Sequence, residues 1–267
     1  MNTPSKETLL RVDNVTVQFG GLKAVSGVTF DTYKGELLGL IGPNGAGKTT
    51  MMRAITGVVR ATEGRIHLRG EDITTQPIHR RIRKHMALSQ QLVRPLRQIT
   101  VAENVALAAG SQLTRSPLRA LLHVSQRAQL DIARELLERV GIQGYADQLP
   151  GTLPLGVLKR LEVARALATG PELLLLDEPL AGLNSKEAKA LADTIQEINR
   201  QGVTIILIEH NLGEVMRICQ RLVVLDNGRL IGQGEPHSVM ADPQVRAAYL
   251  GGAGDDAANK STEADHA

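Results

Sequence analysis

The sequence predicts an α/β fold with a mostly parallel sheet at its core, an antiparallel β subdomain and an inserted helical subdomain. Three observations carry this. The runs Leu37–Ile41, Leu173–Leu176, Val203–Ile208 and Leu222–Leu225 are continuously apolar, as strands buried on both faces of a parallel sheet should be. Helical patterns separate these runs. The early stretches Leu9–Gly20 and Val25–Asp31 instead alternate, as antiparallel strands with one solvated face do.

Taken in order, residues 1–7 are polar and read as a flexible N-terminus. The two alternating stretches follow, then the first buried run at Leu37–Ile41. A glycine-rich loop leads into Met51–Ile55, which reads as a helix. The region from about Ile99 to Ala168 is mostly helical, so a helical subdomain is expected at about 99–168. Within it Leu130, Ala133, Leu137 and Val140 recur at three and four residues and form one apolar stripe. After Leu173–Leu176 the pair Asn184-Ser185 offers a cap. Ala188, Leu191, Ile195 and Ile198 then repeat at helical spacing until Gly202 stops the helix. Residues 251–267 are Gly, Ala and charged residues and read as a disordered acidic tail. No Ser/Gly linker, repeat or low-complexity block interrupts 8–250, so one continuous domain is expected there.

Composition narrows the function. With 42% hydrophobic and 22% charged residues in 267, the chain can bury a substantial core, which excludes wholesale disorder. Aromatics make up 2% and Trp is absent, which argues against a stacking surface for single-stranded nucleic acid. The single Cys219 excludes an intramolecular disulfide framework and a cysteine-rich zinc site. No apolar run approaches the ~18 residues of a membrane span. Lys6, Glu7, Arg11 and Asp13 precede any apolar stretch, unlike a secretory signal, so a soluble intracellular protein is expected. The net charge of +3 includes an acidic tail, so the remainder is more basic and suits phosphate ligands or an acidic partner surface.

The chemistry concentrates at two places. Gly42-Pro43-Asn44-Gly45-Ala46-Gly47-Lys48-Thr49-Thr50 fits GxxxxGK[ST] between an apolar run and a helix, the context this phosphate-binding motif requires. Glycines let backbone N–H groups wrap a polyphosphate, and the helix N-terminus adds positive potential. Lys48 would neutralise the β- and γ-phosphates of a nucleoside triphosphate, and Thr49 would offer its hydroxyl to Mg²⁺. The core is therefore expected to be of the P-loop NTPase kind. The second place is Asp177-Glu178, two carboxylates at the end of a buried run. At a parallel-strand tip Asp177 can hold the metal and Glu178 can deprotonate the attacking water. His210 ends another apolar run, where a histidine can sense a γ-phosphate; taken alone such a residue is more often a structural cap.

This ordered set resembles the ATP-binding cassette ATPases, the motor subunits of ABC transporters. Phe19 sits where the family's aromatic stacks on adenine, and Gly42–Thr50 matches its Walker A loop. Gln91 falls at the Q-loop, ahead of Ile99-Thr-Val-Ala-Glu-Asn104. Leu153-Pro-Leu-Gly-Val157 holds the signature position, before Lys159-Arg-Leu-Glu-Val-Ala-Arg-Ala166. Asp177-Glu178 matches Walker B, Ala181-Gly-Leu-Asn184 the D-loop, and His210 the switch. Ala181–Asn184, Ile208-Glu-His-Asn211 and Asp242-Pro-Gln-Val-Arg-Ala-Ala-Tyr-Leu-Gly251 look most like the ATPases of branched-chain (hydrophobic) amino acid importers.

The resemblance implies an ATP- and Mg²⁺-dependent ATPase peripheral to the cytoplasmic face of the inner (plasma) membrane. Its implied partners are two transmembrane permease subunits, a second cassette closed by ATP into a homo- or heterodimer, and indirectly a substrate-binding protein outside the membrane, with no nucleic acid. It assigns catalysis to Glu178, His210 and Gln91, and metal binding to Thr49, Gln91 and Asp177. Gly156 is assigned to the γ-phosphate held by the opposite subunit. Other cassette readings are a lipid or lipopolysaccharide exporter and a soluble regulatory or ribosome- or DNA-acting protein. The last kind resembles tandem cassettes or carries coiled-coil or zinc insertions, whereas this chain has one cassette and one cysteine. The family's usual signature is LSGGQ. Here Pro154 removes a hydroxyl and an N–H, and Leu155 adds bulk where glycine allows close approach. Proline suits a first helical turn, and Gly156 can still face a phosphate, so an altered signature retained in place is expected.

Overall fold

A computed structural model describes residues 6–89, 95–113 and 126–249. In chain order the strands are β1 (Thr8–Phe19), β2 (Leu22–Tyr33), β3 (Leu37–Ile41), β4 (Glu63–Leu68), β5 (Glu71–Asp72), β6 (Met86–Ser89), β7 (Leu173–Asp177), β8 (Thr204–Ile208), β9 (Arg221–Asp226) and β10 (Arg229–Gly234). The α-helices are α1 (Lys48–Thr56), α2 (Ile78–Ile82), α3 (Val101–Leu113), α4 (Gln126–Arg139), α5 (Leu155–Ala168), α6 (Ser185–Arg200), α7 (Leu212–Ile218) and α8 (Pro236–Ala241), with a last helical stretch over 243–249. Two compact units emerge, one from Met1–Ile78 with Val215–Ala267 and one from His79–Glu214.

In the first unit the alternating stretches form the expected antiparallel sheet, in the order β2-β1-β4-β5. Val15 pairs with Val28 and Val17 with Val25, and on the other side Leu10 pairs with Leu68 and Val12 with Ile66. Register shifts interrupt β1, which is why Leu9 and Leu10 are both buried where strict alternation would expose one. Lys6 lies over the Tyr33 ring at 5.6 Å, and the Lys34 N–H donates to the Glu7 carbonyl at 2.9 Å. The same unit holds β3 parallel to β9, with Leu38 opposite Arg221 and Ile41 opposite Val224; β10 returns antiparallel to β9. Gly39 is needed here, since a Cβ would come within 2.7 Å of Leu222.

The second unit contains β6, β7 and β8 in parallel, with Met86 opposite Leu173 and Leu173 opposite Thr204. Leu173–Leu176 and Ile205–Ile208 are fully buried, the double-sided burial that their continuous apolarity predicts. The described elements from Val101 to Ala168 are α-helices and two 3₁₀ turns, Gln143–Tyr145 and Pro150–Thr152. At the start of α3, Thr100 and Glu103 cap each other reciprocally. The Thr100 hydrogen bonds hold the Glu103 carboxyl below its usual range. Asn104, 2% exposed, bonds both the N–H and the carbonyl of Leu96, which fixes the loop before α3. In α4 the stripe buries Ala133 and Leu137, and Val140 follows it inward. Asn184 and Glu187 make the capping box of α6, whose Ala188, Leu191, Ile195 and Ile198 are buried. No helix among the described residues is long and apolar enough to cross a membrane.

Candidate functional site

In the first unit β3 delivers the chain to Gly42, and α1 leaves the loop at Lys48. Both ends of this loop exclude side chains. At Gly42 (φ +149°) a Cβ would lie 2.0 Å from the Leu225 carbonyl oxygen. At Gly47 (φ +97°) it would lie 2.4 Å from the Ala24 carbonyl oxygen. Gly45 (φ +77°) is exposed beside Asn44 and would meet nothing within 4 Å. Pro43 is half-buried, Ala46 is buried, and the Ala46 carbonyl accepts from the Gly228 N–H at 3.1 Å. The Lys48 ammonium donates to the Gly42 and Pro43 carbonyls at 2.8 Å each. The first helical bond of the loop runs from the Met51 N–H to Gly47, so the N–H groups of Lys48, Thr49 and Thr50 precede the ladder. A positive helix end with such N–H groups is built for an oxyanion.

Phe19 ends β1 opposite Leu22 and is 51% exposed, an aromatic face open to a ligand. The strand it pairs with brings the Ala24 carbonyl against Gly47, on the loop's own side of the unit. At the C-terminal end, Tyr249 reaches the same loop. Burial pushes its phenol up to about 12, partly offset by a hydrogen bond with the Gly42 backbone.

In the second unit β7 ends at Asp177, half-buried, and Glu178 follows in a left-handed conformation (φ +51°). That region is uncommon for a side chain without glycine's freedom. The Glu178 N–H donates to the Ile208 carbonyl at 2.9 Å, and its carbonyl accepts from Lys159 Nζ at 3.1 Å. Its carboxylate Oε1 lies 2.9 Å from His210 Nε2. Glu209 is 3% exposed and accepts from the Leu180 N–H at 2.6 Å and the His210 N–H at 3.2 Å. Burial raises its carboxyl, and those two bonds pull it back. Burial lowers the Lys159 ammonium, against the opposing pull of Glu209, Glu178 and Asp177.

The signature segment lies in the same unit. Pro154 is the N-cap of α5 (φ −57°, ψ 150°), one residue earlier than the first-turn position its sequence suggested, and it makes no side-chain cap bond. Its carbonyl accepts from the N–H groups of Val157 and Leu158 at 3.0 and 3.1 Å, so the N–H groups of Leu155 and Gly156 lie ahead of the helical ladder. A cleft of about 490 Å³ opens beside Pro154, Gly156, Arg160, Asn184 and Lys186. Leu155 is 43% exposed, and its side chain meets Gly182 (φ +80°), where a Cβ would come within 2.9 Å.

Gln91 lies outside the described residues, as do residues 1–5 and 250–267. Magnesium at a nucleotide keeps phosphate and water ligands and needs only one or two hard oxygens from protein. The Thr49 hydroxyl in the first unit and the Asp177 carboxylate in the second are each donors of that class, and the glycine-only ends of the loop leave backbone N–H groups accessible to a phosphate. Sequence reasoning assigned no role to Lys159, Glu209 or Tyr249. A lysine among Val157, Leu158 and Leu161, and a glutamate directly after an apolar run, were the available signals.

Comparisons extend this picture. Residues 25–181 match the model of the ABC transporter family, and residues 229–255 match that of the branched-chain amino acid ATP-binding cassette transporter. The chain is 41% identical over 251 residues to the high-affinity branched-chain amino acid transport ATP-binding protein LivG of Escherichia coli K12, covering 92% of this chain and 98% of that one. It is 38% identical to BraF of Pseudomonas aeruginosa, which carries the same description, over 91% and 98% of the two chains. The lipopolysaccharide export ATP-binding protein LptB of Haemophilus influenzae is 34% identical, over 91% and 98%. Among solved structures, an ATP-binding cassette of an ABC transporter in its ADP conformation superposes with a TM-score of 0.81 at 32% identity, over 91% of this chain and 99% of that one.

Proposed function

The chain is an ATP-binding cassette ATPase of the ABC transporter family, and on that basis we propose that it is the motor subunit of an importer for branched-chain or other hydrophobic amino acids. The observation that carries the motor reading is Glu178, held in a rare backbone conformation with its carboxylate 2.9 Å from His210. The cargo reading is supported by the match of residues 229–255 and by the descriptions of LivG and BraF.

In this reading Phe19 stacks on adenine, and Gly42–Thr50 wraps the phosphates with backbone N–H groups while Lys48 offsets their charge. Thr49, Asp177 and Gln91 would hold Mg²⁺, whose positive charge would offset that of the phosphates. Glu178 removes a proton from the attacking water, and His210 holds the Glu178 carboxylate and the γ-phosphate end of the site. Gly156 and the N-terminus of α5 offer N–H groups to the nucleotide of a second cassette. Two permeases and an external substrate-binding protein complete the transporter, with this subunit peripheral to the cytoplasmic face of the membrane.

Glu178→Gln tests the assignment. It keeps the shape and removes the base, so turnover should fall by about 10²–10⁴-fold with ATP affinity intact. Retained hydrolysis in the purified variant would sink the role of Glu178. LptB favours a second reading, export of a lipid-linked cargo, and amino acid uptake by the reconstituted complex decides between the two.

A further inference from the structure

We propose that Lys159 and Glu209 are positioning residues for Glu178, two buried and oppositely charged side chains that hold its backbone where the carboxylate meets His210. The inference rests on the reading of Glu178 as the base. A left-handed conformation in a residue other than glycine costs about 1–3 kcal/mol and persists only where the surroundings over-determine it. Three bonds do so here. The Glu178 N–H is tied to the Ile208 carbonyl at 2.9 Å. Its carbonyl is gripped by Lys159 Nζ at 3.1 Å, and two residues on, the Leu180 N–H is held by Glu209 Oε1 at 2.6 Å. The other Glu209 oxygen accepts from the His210 N–H at 3.2 Å, so one carboxylate fixes both the loop behind the base and the backbone of its imidazole partner.

Charge is the unusual part. Lys159 is 6% and Glu209 3% exposed, and burying an ion costs more than burying an apolar group of the same size. Replacing a buried charged pair by neutral groups is often harmless to stability. If the two charges serve only stability, replacing both leaves turnover unchanged; if they hold the Glu178 backbone, it does not. Lys159 also lies one turn inside α5, so the helix that begins at the altered signature carries the grip on this chain's own base.

The test uses the full chain in its reconstituted transporter, with ATP as substrate, and reads kcat, KM and the Tm of the purified chain. Lys159→Met and the paired Lys159→Met/Glu209→Gln should each lower kcat at least about tenfold while KM stays within about twofold. Lys159→Arg, which keeps a donor for the Glu178 carbonyl, should restore most of the rate. The paired variant leaves neither charge buried alone, so it decides the matter should Lys159→Met not fold. A paired variant with wild-type kcat overturns the proposal, as does a fall in kcat with a raised KM and a lowered Tm that arginine does not rescue. Glu178→Gln is assayed alongside. If it still turns over, the base assignment fails and this inference with it. If it is inactive while the paired variant works normally, this inference alone fails.

Discussion

Glu178 and Gly42 show how single residues set this chemistry. Glu178, directly after β7, takes a left-handed backbone (φ +51°), and its Oε1 lies 2.9 Å from His210 Nε2. Gly42 works by absence: its left-handed φ and the Leu225 carbonyl leave no room for a Cβ. Gly42→Ala should therefore cost several kcal/mol, the strain of about 1–3 kcal/mol plus a backbone clash. At about 2–4 °C per kcal/mol for a chain of this size, Tm should drop by about 5 °C or more, with ATP binding lost. Gly45→Ala is the control. It meets only the left-handed penalty of about 1–2 kcal/mol, because nothing stands within 4 Å of its Cβ. Equal Tm values for the two variants would refute the steric argument.

At the scale of elements, helix ends are where sequence detail becomes function. The capping box of α6 satisfies two backbone groups at once, Asn184 Oδ1 accepting from the Glu187 N–H at 3.0 Å and Glu187 Oε2 from the Asn184 N–H at 3.2 Å. Asn184→Ala should cost about 1 kcal/mol, read as a Tm about 2–4 °C lower. An unchanged Tm would mean that tertiary packing alone sets the start of α6. The start of α5 contrasts with this, since Pro154 caps it by conformation and offers no hydroxyl. Pro154→Ser adds a hydroxyl where the family presents one. It should raise turnover at the site this signature completes by about tenfold, the rate equivalent of one charge-assisted hydrogen bond of about 1.4 kcal/mol. Steady-state hydrolysis of the assembled transporter checks this, and no change would mean that the α5 backbone amides already suffice.

For the whole molecule the decisive quantity is what it assembles with. The family match covers the phosphate loop through the D-loop start, and the chain spans nearly the full length of LivG and BraF. Tagged in its host and purified from gently solubilised membranes, the chain should bring down two permeases and a second cassette, identified by mass spectrometry. Recovery with ribosomal or DNA-repair proteins in the soluble fraction would overturn the transporter reading and leave the ATPase assignment standing.

The sequence alone determined the fold class, the phosphate loop, the acid pair and the family. Each is written in local pattern: the double-sided apolarity of Leu173–Leu176, the spacing of Gly42, Gly47 and Lys48, two acids directly after a buried strand. The register shifts of β1 were not legible, because they follow from pairing with β2 and β4. The same holds for Lys159, Glu209 and Tyr249. Nothing in the spacing from 159 to 178 to 209 says that an ammonium meets a carbonyl. Only the tertiary structure, by burying both side chains, brings the Lys159 ammonium to the Glu178 carbonyl and the Glu209 carboxylate to the Leu180 N–H.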